Sequence, residues 1–200
     1  MSAFPTQPPR GEAPRSWTPP PYALQDLGNG LRVAAVRLDG LPIAQVRWVF
    51  GSGRVHEPTD RLGSALLLQR AMRHGMADLT MSAFAQTLDA LGARMGGGVT
   101  IDSAMVSVSG LSQHLPRFIE MATGVALTPA LPEIAVAAER HKAMQIHRHE
   151  WSTIEGLTNL WLMHGLYGTH PYGLPRTTLA GLKATRREDL VALHSAIVDP

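Results

Sequence analysis

Residues 51–75 read GSGRVHEPTDRLGSALLLQRAMRHG, and this stretch decides the fold because it joins a predicted strand to a predicted helix. Gly51-Ser52-Gly53 ends the strand, and apolar residues recur at helical spacing from Arg61 to His74. Thr59 or Asp60 can cap the start of this helix, and Gly75 is suited to its end. The segment therefore predicts a strand, a glycine-containing turn and a helix.

Two strands are predicted before this segment. Leu31–Leu38 and Ile43–Phe50 alternate apolar and polar residues, and Asp39-Gly40 between them is a turn signal. We therefore expect these two strands to pair as a hairpin. An earlier turn at Gly28-Asn29-Gly30 follows the segment Tyr22–Leu27.

Helices and two more strands are predicted after this segment. The predicted strands are Ala93–Ile101 and Ser103–Gly110. The predicted helices are Thr80–Leu91, Leu115–Leu127, Pro132–Glu150, Thr153–Leu166 and Arg186–Ile197. This order predicts an α+β fold in which helices pack on one face of a mostly antiparallel sheet.

The chain of 200 residues fits one domain with a tail. Residues 1–21 are rich in proline and predict a disordered leader, and residues 22–200 predict the domain itself. The sequence stops at Pro200 directly after a predicted helix, with no strand following. We therefore expect the domain to be incomplete at its C-terminus, lacking its last strand.

Composition excludes several functions. A net charge of +2 without a run of Lys or Arg argues against nucleic-acid binding, and the absence of cysteine excludes disulfides and thiol nucleophiles. No signal peptide and no apolar run of about 18 residues is present, so we expect a cytoplasmic protein without a membrane span. Only 17% of residues are charged, which is low and leaves apolar surface for a partner to cover.

The nine histidines do not predict a metal site. No two of them lie three or four residues apart, so no helix presents two imidazoles on one face. The sequence also lacks a phosphate-binding P-loop and a G-x-S-x-G nucleophile elbow.

The order of several short motifs resembles the amino-terminal domain of the M16 (pitrilysin/insulinase-like) metallopeptidases. These motifs are Leu27-x-Asn29-Gly30-Leu31-x-Val33, Gly51-Ser52-Gly53, the helix that follows Gly63, and Tyr167-Gly168-x-His170-Pro171-Tyr172-Gly173. The likeness runs from about residue 22 to residue 200. It implies the LuxS/MPP-like fold of this family, with helices on one face of the sheet.

Active members of this family carry an H-x-x-E-H motif on the Gly-led helix. Two histidines four residues apart both reach zinc, and the Glu activates the zinc-bound water. A third ligand, a Glu, follows roughly 75 residues later. Aligned on Gly63-x-Ala65, the corresponding positions here are Leu66, Gln69, Arg70 and Gln145.

None of these four residues can do the required chemistry. Leucine has no donor atom, glutamine is not a base near neutral pH, and the charge of arginine repels zinc. The resemblance therefore implies a degenerate member with no catalytic residue, no metal ligand and no cofactor, zinc being expected only in a catalytic partner. Leu66 is interpreted as core, Arg70 as surface or ion-paired, and Gln145 as one polar helix residue.

In this family an edge strand binds peptide by β-augmentation. The matching stretch contains Gly96, Gly97 and Gly98, which weaken a strand but allow another backbone to approach closely. This stretch is a candidate peptide edge, and a bulge or turn is the alternative reading.

The resemblance implies a non-catalytic subunit that forms a heterodimer with an active M16 peptidase and shapes a peptide-degrading chamber. Peptide would then reach this chain only through the complex. One alternative is a structural or assembly scaffold, like the respiratory-complex core subunits that resemble this family. A second alternative is an active zinc metallopeptidase whose site the sequence does not reveal.

Overall fold

The computed structural model describes residues 16–198. These residues divide into two compact units, 16–41 and 42–198. Most of the predicted leader lies outside the described residues, as do Asp199 and Pro200.

The first unit contains a two-stranded antiparallel hairpin of β1 (Tyr22–Asp26) and β2 (Arg32–Val36). Gly28 and Gly30 in its turn have φ of 70° and 85°, which glycine adopts at little cost. The predicted hairpin between 31–38 and 43–50 is therefore wrong, because β2 pairs with the strand before it. The short glycine turn closes this local pairing.

The second unit contains a three-stranded antiparallel sheet of β3 (Ile43–Phe50), β4 (Arg94–Val99) and β5 (Ala104–Leu111). Their order is β3-β5-β4, so β5 is central. The positions of these three strands agree with the sequence predictions. The pairing of β3 with β5 was not predicted, because β5 lies more than 50 residues further along the chain and a local sequence pattern does not identify so distant a partner.

Seven α-helices are present in the part of the chain that the structure describes. They are α1 (Ser64–Met72), α2 (Met81–Ala90), α3 (Leu115–Leu127), α4 (Glu133–Glu150), α5 (Ile154–Tyr167), α6 (Leu179–Ala184) and α7 (Arg187–Val198). The sequence predictions do not include α6, whose six residues are too few to establish a period.

Helices cover one face of the three-stranded sheet. Val106 and Val108 of β5 are fully buried, and α3 packs over β3 and β5 while α1 packs over β4 and β5. The Trp48 indole on β3 donates a hydrogen bond to Thr123 Oγ1 of α3 at 3.2 Å. The predicted α+β fold with helices on one sheet face is confirmed.

The remaining core is formed by side chains from α1, α2, α3, α4, α6 and α7. Its largest members beyond the sheet are Leu67, Phe84, Phe118, Met121, Leu182 and Leu190. None of the helices within residues 16–198 has both the length and the apolar character needed to cross a bilayer.

Candidate functional site

The start of α1 is fixed by a glycine and a buried carboxylate. Gly63 has φ 110°, and a Cβ there would lie 2.7 Å from Leu182 Cδ2. Glu57 Oε1 accepts hydrogen bonds from the backbone N–H of Gly63 at 3.1 Å and of Ala65 at 2.6 Å. Glu57, rather than the predicted Thr59 or Asp60, therefore satisfies the free amides at this helix end.

Glu57 is also electrostatically unusual. Its side chain is buried, and Oε2 has no hydrogen-bond partner among the described residues. Burial raises the pKa of Glu57, and the amides of Ala65 and Gly63 together with the charge of Arg54 oppose that rise. The Glu57 carboxyl group stabilises the N-terminal end of α1, because it accepts hydrogen bonds from the backbone amides of Gly63 and Ala65.

The motif positions of α1 face the interior. Leu66 and Gln69 are each 5% exposed, and Leu67 and Leu68 between them are also buried. Gln69 Nε2 is a buried donor without a hydrogen-bond partner in the described part of the chain. Such a group costs free energy, so Gln69 is a polar residue in a largely apolar setting.

Arg70 lies half-buried at the end of the motif. Burial lowers the pKa of its guanidinium group, and the negative charges of Glu139 and Glu150 on α4 oppose this effect. Arg176 and Arg73 add like charges that lower it further. A cation therefore occupies the position that the sequence analysis predicts for the second histidine of the family motif.

The buried stripe of α4 includes Glu139, Ala143 and His147, which are spaced four residues apart. Gln145 is exposed, and its Nε2 lies 3.0 Å from His141 Nε2. Two residues correspond to about 200° of helix rotation, so Gln145 points away from the buried stripe. The structure does not bring Gln145 together with Gln69.

His147 is the buried polar residue of α4 nearest the predicted third position. Its Nδ1 lies 2.8 Å from Thr177 Oγ1. Burial lowers the pKa of His147, and the charge of Glu150 opposes this. Sequence spacing gave no signal for this residue, because Thr177 lies 30 residues away in the chain.

Glu139 on α4 forms ion pairs with two neighbouring side chains. Its Oε1 accepts from Lys142 Nζ at 2.9 Å and lies 3.0 Å from His74 Nε2. Although burial raises the pKa of Glu139, the hydrogen bonds from Lys142 and His74 lower it overall. Glu139 is therefore a carboxylate already engaged with cations.

The donor set does not fit zinc. Among residues 16–198 no three His, Asp or Glu side chains are grouped so that they could hold a metal ion. Leu66 offers no donor atom, and the Arg70 guanidinium repels a cation. The chemistry of metal-activated water is therefore not supported by these residues.

The candidate peptide edge lies beside α1. Strand β4 is an edge strand of the three-stranded sheet and contains Gly96, Gly97 and Gly98. A Cβ on Gly97 would come against Gln69 Nε2 and lie 2.5 Å from Met105 O. Gly97 therefore allows the close approach of α1 to β4, and the segment forms a strand rather than a turn.

A cleft of about 580 Å³ opens beside the ends of α4 and α5. Its lining includes Arg54, Glu150, Trp151 and Arg176. At its rim the Tyr172 hydroxyl donates to a carboxylate oxygen of Asp102 at 2.6 Å, a contact that joins the Tyr-Gly-x-His-Pro-Tyr-Gly motif to the β4–β5 turn. Sequence reasoning did not predict this cleft, because its parts come from four separated segments.

The comparison with protein families gives one match. A family model described as insulinase (peptidase family M16) matches residues 32–176. No curated protein sequence gives a significant match.

Solved structures share this fold. A peptidase M16 inactive domain from Pseudomonas fluorescens is 25% identical, with a TM-score of 0.79 over 87% of this chain and 43% of that chain. A protease from Helicobacter pylori is 19% identical, with a TM-score of 0.80 over 89% of this chain and 44% of that one. The periplasmic protease PqqL from Escherichia coli is 15% identical, with a TM-score of 0.77 over 88% of this chain and 20% of that chain. The present chain thus spans less than half the length of these proteins.

Proposed function

This chain belongs to the insulinase (peptidase M16) family, and we propose that it is a non-catalytic subunit that pairs with an active M16 zinc peptidase. The two proteins would enclose a peptide-degrading chamber as a heterodimer. A relative of the same fold is described as an M16 inactive domain, which supports a non-catalytic role.

The observation that carries the proposal is the chemistry of α1. Leu66, Gln69 and Arg70 occupy the motif positions, two of them buried and the third a cation next to the α4 carboxylates. Because α1 is well packed, it can preserve the shape of the chamber wall without carrying residues that bind a metal. Hydrolysis then depends on zinc held by the partner.

We propose that this chain binds the peptide substrate along the free edge of β4. An extended peptide adds to such an edge through main-chain hydrogen bonds, which require no catalytic group. The glycines Gly96, Gly97 and Gly98 remove side chains that would hinder an approaching backbone. The peptide would be positioned by one subunit and cleaved by the other.

The proposal is tested by measuring bound zinc and peptide cleavage on the same samples. The samples are the chain alone, an M16 peptidase from the same organism that carries an intact H-x-x-E-H motif, and the two mixed. We expect the chain alone to be metal-free and inert and to raise the cleavage rate of the partner. A partner variant whose motif Glu is changed to Gln is the control, and it should remain inert in the mixture.

Two other outcomes would overturn the proposal. Stoichiometric zinc and cleavage by the chain alone would mean that it is an active metallopeptidase with a different site. A stable complex with a protein outside the M16 family, without any effect on cleavage, would instead indicate the scaffold role.

A further inference from the structure

The cleft beside the ends of α4 and α5 has the composition of a ligand site. Its volume of about 580 Å³ lies within the range of about 300–1,000 Å³ that is usual for such sites. Trp151, Leu160 and Met163 give the cleft an apolar wall, and the Trp151 side chain is 45% exposed. An apolar wall of this kind binds an apolar group when a few polar side chains fix its orientation.

Two arginines line the same cleft. Arg54 is half-buried and Arg176 is exposed, and neither forms a salt bridge with a carboxylate in residues 16–198. Burial lowers the pKa of the Arg54 guanidinium, the charge of Glu57 opposes this, and the charge of Arg176 lowers it again. Since the two positive charges act on each other, they lie close together, and an anion bound between them would relieve their repulsion.

Contacts on either side of the cleft hold both arginines in place. The backbone N–H of Arg54 donates to the carbonyl oxygen of Thr100 at 3.1 Å, directly after the end of β4. Thr177, which follows Arg176, is buried, and its hydroxyl oxygen lies 2.8 Å from His147 Nδ1. Because the backbone is fixed near both side chains, less freedom is lost when the two guanidinium groups bind one ligand.

The other charges of the lining favour an anion with a single negative charge. Glu150 and Glu155 also line the cleft, and they would repel a doubly charged phosphate group more strongly than a carboxylate. Glu155 is exposed in the first turn of α5, and the charge of Glu150 acts on Arg70 and His147. The guanidinium groups in the cleft remain available for a carboxylate, which arginine binds through paired hydrogen bonds.

We propose that Arg54 and Arg176 bind a carboxylate group of the peptide substrate while an apolar side chain next to that group packs against Trp151, an inference that rests on the proposed function. The position of the cleft supports a peptide as its ligand. Ile101 lines the cleft and lies just beyond the end of β4, the proposed peptide edge. A peptide bound along β4 can therefore place its C-terminal carboxylate, or an acidic side chain, in the cleft.

The test measures the dissociation constants of fluorescent peptides for the full chain by fluorescence anisotropy. The peptides share one sequence of alternating valine and threonine that ends in leucine, with either a free C-terminal carboxylate or a C-terminal amide. We expect the free acid to bind at least about 10-fold more tightly, because hydrogen bonds between charged groups are stronger than those to a neutral amide. A third peptide, the amide with glutamate in place of the last leucine, tests an acidic side chain as the source of the carboxylate.

Three variants separate the arginine pair from general charge and from folding. Arg176→Gln should reduce the preference for the acid to less than about twofold without changing the affinity for the amide, and it should melt as the wild type does because Arg176 is exposed. Arg54→Lys keeps the charge but not the paired hydrogen bonds, so it should retain only part of the preference. Arg47→Gln on β3, which removes an exposed positive charge outside the cleft lining, is the matched control and should keep the full preference.

The outcomes distinguish this inference from the proposed function. If the glutamate peptide is preferred instead of the free acid, and Arg176→Gln removes that preference, the carboxylate comes from a side chain and the assignment of the arginines stands. Equal binding of all three peptides, no binding of any, or an equal loss in Arg47→Gln would overturn it, as would stronger competition by inorganic phosphate than by acetate. If the chain nevertheless raises cleavage by the M16 peptidase, the subunit function stands and only the carboxylate site is wrong.

Discussion

Replacing Gln69 by Leu is expected to stabilise the protein, although Gln69 is predicted to stand at the general-base position of the family motif. The side chain is 5% exposed, and its Nε2 has no hydrogen-bond partner among the described residues. Leaving a buried donor unpaired costs about 1–3 kcal/mol. A leucine of similar size would pack with Leu68, Met72 and Val106, which line the small cavity beside Gln69.

We therefore expect the free energy of unfolding to rise by about 1–2 kcal/mol, because most of the cost of the unpaired donor is removed. For a domain of this size each 1 kcal/mol moves the melting temperature by about 2–4 °C, so the expected gain is about 2–8 °C. Urea unfolding followed by circular dichroism gives the first quantity, and calorimetry gives the second.

The control is Gln145→Leu, because Gln145 is exposed and should change stability by less than about 0.5 kcal/mol. Gln69→Glu is the opposite change. Burial would raise the pKa of the new carboxyl group, so its penalty should be absent well below pH 4 and grow as the pH rises. A loss of more than about 1 kcal/mol in Gln69→Leu would refute the reasoning, since it would mean that the amide makes a stabilising hydrogen bond.

Three further predictions concern the surroundings of α1. Gly97→Ala should cost about 1–3 kcal/mol in urea unfolding because its Cβ would clash with Met105 O, whereas Gly98→Ala, with its nearest atom at 3.6 Å, should be tolerated. Burial raises the pKa of Glu57. The stability of the wild type relative to Glu57→Gln should therefore be greatest below pH 4.5 and fall as the pH rises through the raised pKa. A stability difference that does not change with pH would contradict this prediction. The pKa of Glu139 is lowered, so the stability that Glu139→Gln removes should be fully present above pH 4.5 and be lost as the pH falls through the lowered pKa, and a difference that does not shrink as the pH falls would count against this reasoning.

Much of the local structure follows from the sequence. Helices α1 to α5 and α7 and strands β3 to β5 agree with the predicted segments, because amphipathic period, glycine turns and caps act within a few residues. Thr153, for example, precedes α5, and its side chain accepts a hydrogen bond from Gly156 N. The family resemblance is also confirmed, because it depends on the order of such local motifs.

The sequence failed where residues distant in the chain had to be paired. The hairpin predicted between the second and third strands was wrong, since β2 pairs with β1 and β3 pairs with β5. The residue pattern of a strand predicts that it is a strand, but it does not identify the strand with which it pairs. Likewise, spacing points to Gln145, whereas rotation of α4 places His147 in the buried stripe.

The sequence by itself determined that this M16-family chain contains no H-x-x-E-H motif, and it predicts Leu66, Gln69 and Arg70 at the motif positions. Only the tertiary structure decided what surrounds those residues. It placed Gln69 against Gly97, Arg70 near the α4 carboxylates, and the large apolar side chains Trp161 and Leu166 of α5 in solvent. These relations arise from packing between segments far apart in the chain, and packing is set by the whole core rather than by any local pattern.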